Sequence, residues 1–154
     1  MLTKLMLGSV LVTLAASSAA YARDSAWLLC KGTGEHGTGA DKEKTYLAAS
    51  LLEHRGTEDR DLGVTLIYGD HVMRGAIVGT KTVSFSGKAA PLKLAHVDKK
   101  GNAFTGTAML SADLKTFTLK GTIDFTFGDD PKAKQAPFEA KLACEQLDDQ
   151  AIGH

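Results

Sequence analysis

Lys115-Thr-Phe-Thr-Leu-Lys-Gly-Thr-Ile-Asp-Phe-Thr-Phe127 is the stretch that decides the fold. Phe117, Leu119, Ile123, Phe125 and Phe127 share one parity, interrupted only by Gly121. Thr118, Lys120, Thr122, Asp124 and Thr126 hold the other. Alternation at period two over eleven residues is a strand with one dry face and one wet face. Threonine and aromatic residues suit such a pleated surface.

The segment before it, Ala103 to Leu110, alternates in the same way and is read as its hairpin partner across Ser111-Ala-Asp-Leu114. A two- or four-residue loop sets Phe104 against Gly121, Gly106 against Leu119 and Ala108 against Phe117. A large residue then meets a small one at each step.

Further out, Leu62 to Val78 forms a second hairpin. Gly69-Asp70 is a two-residue turn with glycine first, as a type II′ turn prefers. It pairs Tyr68 with His71, Leu66 with Met73, Val64 with Gly75 and Leu62 with Ile77, with Thr65 and Arg74 on the other face. Thr82 to Ser86 and Pro91 to Val97 are read as shorter strands, the latter opening on a proline. Phe138, Ala140, Leu142 and Cys144 alternate with charged residues in the last strand. The first strand carries Trp27, read as core packing, and Cys30.

Two segments are less regular. Gly32, Gly34 and Gly37 fit G-x-G-x-x-G by letter, but no βαβ unit surrounds them, and Gly32 to Gly39 is read as a loop. Residues 41–55 fit a strand or a helix capped by Asp41 and ended by Gly56. The strand is preferred because neighbouring elements are antiparallel sheet. The expected fold is therefore all-β, an antiparallel up-and-down barrel or a two-sheet sandwich of about eight strands. The alternative is α+β with one helix at 41–55.

Residues 1–22 read as a signal peptide. Lys4 precedes an apolar run, and Ala20-Tyr21-Ala22 has the small-x-small cleavage pattern. Residues 23–154 then form one domain, exported to a periplasm or secreted. Without Lys4 it carries 17 basic and 18 acidic residues, a balance that draws it to neither nucleic acid nor an anionic membrane. Nine aromatics and a charged outer parity also speak against a membrane-spanning barrel. In an exported protein Cys30 and Cys144, near opposite ends, are most simply a disulfide.

Chemistry is thinly marked. The five histidines lack metal-ligand spacing, no nucleophile motif occurs, and no cofactor is implied. His54, Arg55, His71 and Arg74 are the candidate ligand-binding residues, expected to cluster near one end of the fold. Inward-facing Gly106, Ala108, Gly121 and Ala140 fit either a cavity or the small halves of a packed core. The expected function is a non-enzymatic binding module for a small apolar ligand or a protein partner. An enzyme built on the histidine, arginine and acid cluster, or a structural envelope protein, is the alternative.

Overall fold

A computed structural model of the chain describes residues 27–53, 61–99, 101–124 and 135–147. It contains eight strands: β1 (Trp27–His36), β2 (Glu43–Glu53), β3 (Leu62–Tyr68), β4 (His71–Ile77), β5 (Ala89–His96), β6 (Asn102–Leu110), β7 (Thr116–Asp124) and β8 (Gln135–Gln146). Each strand pairs antiparallel with the next, and β8 pairs with β1, so the sheet closes into an up-and-down barrel. Closure removes the edges that an open sheet would expose. It decides for the barrel over the sandwich, and β2 is a strand where the helix was the alternative.

The alternating pattern becomes the burial pattern. Leu47, Ala49 and Leu51 of β2 point inward, as do Leu62, Val64, Leu66 and Tyr68 of β3 and Phe117, Leu119 and Ile123 of β7. The β3–β4 hairpin has the expected register, Tyr68 to His71 through Leu62 to Ile77. Gly69 takes a φ of 55°, which costs glycine little.

Four local readings are corrected. First, β1 runs on through Gly32 and Gly34 to His36. A Cβ on Gly34 would lie 2.8 Å from the Phe138 ring, so this glycine admits the ring where a loop was expected. Secondly, Thr82–Phe85 is a short helix, α1. The Ser84 hydroxyl accepts from the Lys81 N–H and donates to the Lys81 carbonyl, and Ser86 Oγ donates to the Val83 carbonyl. These local bonds compete successfully with a ladder. Val83 is left exposed while Thr82 and Phe85 are buried.

Thirdly, β6 and β7 are slipped by two residues from the expected register. Phe104 lies opposite Ile123, Gly106 opposite Gly121 and Ala108 opposite Leu119. The cause is the connection. The Leu114 N–H bonds the Ser111 carbonyl at 2.9 Å, and Leu114 itself takes the left-handed region at φ 61°. Ser111 Oγ accepts from the Thr116 N–H at 2.9 Å, which sets Ser111 opposite Thr116. A slip of two keeps every side chain on its face, so the core survives. Fourthly, Trp27 points out of the barrel and is half-buried on its outer surface.

Cys30 and Cys144 face each other on β1 and β8 and form a disulfide, with Cys30 fully buried. The bond spans the seam at which the barrel closes. It is also the chemistry of an oxidising compartment. Among the described residues, no helix is long and apolar enough to cross a membrane. Residues 1–22, read as the leader, lie outside the described residues.

Candidate functional site

Because strands alternate in direction, the barrel's two ends differ in composition. α1 lies at the end where β4 finishes. The other end, where the Gly69-Asp70 turn lies, gathers His36 from β1, Tyr68 from β3, His71 from β4, His96 from β5 and Asp124 from β7. Beneath them Tyr68, Phe138 and Phe104 stack edge to face at centroid spacings of 5.7 Å. This aromatic column closes the mouth from within.

Tyr68 OH is hydrogen-bonded to His36 Nδ1, and His36 Nε2 lies 3.4 Å from Glu43 Oε2. Burial pushes the Tyr68 phenol above its ordinary range. Alongside, the His71 and His96 rings meet edge to face at 6.0 Å. They line a cavity of about 220 Å³ with Asp70, Val72, Asp98 and Lys99. Burial, and then the neighbouring His71, hold His96 below the ordinary imidazole value of 6.5. Folded His96 therefore binds its proton more weakly than the unfolded chain does. Stability is expected to fall as pH drops from about 7 through the ordinary imidazole range, and to level once folded His96 itself titrates. Thermal melts across that window should show a flatter profile for His96→Gln. An unchanged slope would mean that another group carries it.

Of the four residues singled out by sequence, the structure separates those it describes. His71 belongs to the mouth, while Arg74 points outward and is exposed, paired with Thr65. His54 and Arg55 lie outside the described residues. Glu53, which precedes them, pairs with Leu62 at the end of the barrel remote from His71. The ring that His71 meets, His96, and Asp98 beside the same cavity were missed. Spacing along the chain carries no sign of them, and the β4–β5 pairing of Met73 with His96, with the Val97 N–H bonded to the Val72 carbonyl, brings them together. No group of three potential metal ligands forms among the described residues.

A second feature lies on the outer wall. The outward residues of β1 to β4 include Trp27, Leu29, Ala48, Leu52, Ile67 and Val72. Those of β5 to β8 include Lys93, Thr105, Thr107, Lys120, Glu139 and Lys141. The outside of β1 to β4 is thus the more apolar of the two, although Lys31, Glu35, Lys44 and Arg74 also lie on it and Met109 is exposed on the other. That side holds a groove of about 510 Å³ beside Gly63, walled by Trp27, Leu52 and Arg74. No family model matches the chain, and neither does any curated protein or solved structure. The reading of these two places therefore rests on their chemistry.

Proposed function

We propose that the protein is an exported, non-enzymatic binding module that takes a protein partner on its outer wall. The observation that carries this reading is the packed interior beside an outer wall that leaves Ile67 and Tyr46 exposed and a groove between Trp27 and Leu52. Barrels of about eight strands either fill with side chains or keep room for one small ligand. Here Phe85, Phe104, Phe117 and a set of leucines occupy the inside with almost no exposure. The inward glycines mark a close approach of β6 and β7. A Cβ on Gly106 would stand 2.3 Å from the Lys120 carbonyl oxygen, and one on Gly121 would stand 2.4 Å from that of Thr105. This packing favours a protein partner over a small apolar ligand inside the barrel. Ile67 and Tyr46, by contrast, are 45% and 60% exposed, and apolar surface of this kind marks interaction sites.

The leader pattern in residues 1–22 and the Cys30–Cys144 disulfide support export to a periplasm or beyond the cell. The lysines and Glu139 on the wet half oppose insertion in a bilayer. The test is native mass spectrometry of the protein purified from its own host, alongside Leu52→Asp. A second polypeptide that is lost in the variant is expected. A co-purified small molecule, with no polypeptide, would overturn the reading.

A further inference from the structure

The ladders that close the barrel are unequal. Among the described residues, seven of them hold seven or more residue pairs each. The β4–β5 ladder holds two, Met73 with His96 and Arg74 with Ala95. One further backbone bond extends it, from the Val97 N–H to the Val72 carbonyl at 3.1 Å. On its other side β5 shifts register against β6 between Leu94 and Ala95, an irregularity of the kind that disrupts regular pairing. A closed sheet opens most easily where the fewest backbone bonds must break, and local openings are drawn from that low end of the stability range.

This short ladder is also where two imidazoles lie side by side. His71 of β4 and His96 of β5 meet across it, their ring centroids 6.0 Å apart. Charged and titratable groups surround them from the neighbouring elements. Asp70 precedes His71, Asp98 and Lys99 follow His96, and all line the same cavity. Tyr68 of β3 is registered opposite His71. His36 of β1 is bonded to Tyr68, with Glu43 of β2 beside it. Asp124 of β7 acts on His96 through its backbone carbonyl and its carboxylate. Arg74 of β4 is turned outward, and β6 brings the neutral Asn102 opposite Ala95.

The balance among these groups has a sign. Asp124 favours a proton on His96. Burial opposes it most strongly, the nearby His71 comes next, and Lys99 adds to both. The closed ladder therefore resists the proton, while a ladder opened there, with its rings apart and wet, accepts it more readily. A proton shifts an equilibrium only by such a difference in affinity, and here the difference favours the open form as pH falls.

We propose that the β4–β5 ladder is an acid-sensitive gate in the barrel wall, opened when protons reach the two imidazoles that flank it, while the other seven ladders stay closed. The opened form presents two strand edges, which are templates for pairing with an extended chain. The inference stands independently of the docking surface on β1 to β4.

Amide hydrogen exchange of the oxidised protein, followed residue by residue from about pH 7.5 to about pH 5.5, tests it across the range where imidazoles titrate. The Val97 amide is the reporter, because its bond crosses the gate. Its protection factor, corrected for the pH dependence of the exchange chemistry, is expected to fall by about threefold or more, against a ceiling of about tenfold per pH unit for each proton taken up. Protection in the β1–β2 and β7–β8 ladders should fall by less. His96→Gln should flatten the Val97 profile and His71→Gln should weaken it, with circular dichroism confirming that both fold. If neither variant folds, the wild-type contrast between Val97 and the other ladders still decides. A flat Val97 profile in the wild type overturns the gate. So does an equal fall in every ladder, which is global acid unfolding, or a fall that persists undiminished in both variants.

Discussion

Replacing Cys30 and Cys144 together by alanine is expected to lower stability by roughly 4–5 kcal/mol on the chain-entropy account, because the bond closes a loop with a sequence separation of 114. Domains of this size are stable by about 5–15 kcal/mol, so the loss is a large fraction of the whole. Where the bond lies matters as much as its loop length. Seven of the eight strand pairings join neighbours in sequence, with short loop-closure costs. The β1–β8 pairing joins the two ends of the domain. Its entropy of closure is the largest in the fold, and the disulfide removes that cost from the folding equilibrium. Urea unfolding of the oxidised wild type, the reduced wild type and the double variant should place the last two together, well below the first. A shift of under about 1 kcal/mol would show that the ladder alone holds the seam, contrary to the chain-entropy account.

The same contrast between local and distant contacts explains what could be read from the sequence. The β3–β4 register was legible because a two-residue Gly69-Asp70 turn leaves only one pairing. The β6–β7 register was not, because its connection relies on Leu114 in the left-handed region and on the Ser111 hydroxyl. Neither residue type advertises that role. The α1 segment alternates like a strand, yet its serines close bonds within one turn, a local competition that periodicity does not weigh. The disulfide was legible from two cysteines near opposite ends of a chain whose leader pattern reads as an export signal. The mouth was only half legible. His71 could be picked out, but its neighbours His96 and Asp98 reach it through the fold. The apolar wall was missed because Trp27 was assigned to the core, although its parity relative to buried Leu28 and Cys30 already pointed it outward.

Phe104→Ala is expected to destabilise by about 3–5 kcal/mol, the range for deleting a fully buried ring. The ring packs edge to face on Phe138, and its Cζ would lie 2.9 Å from a Cβ on Gly106. It fills the space above Gly106 and Gly121, which meet across the ladder. Shortening the ring cannot make room for a side chain at Gly106, however, since the nearer obstacles there are the Lys120 carbonyl oxygen and the Gly121 Cα. Adding Gly106→Ala to Phe104→Ala should therefore destabilise further, by about 1–3 kcal/mol of strain, without compensation. The single variant also probes the function. If the wild-type interior is full, it should bind a probe such as benzene far more weakly than Phe104→Ala, whose dry cavity would accept one. Calorimetry with both proteins reads the difference. Equal binding by the two, together with a cost below about 1 kcal/mol, would mean that the barrel already holds an open apolar cavity. A small ligand would then again be preferred to a protein partner.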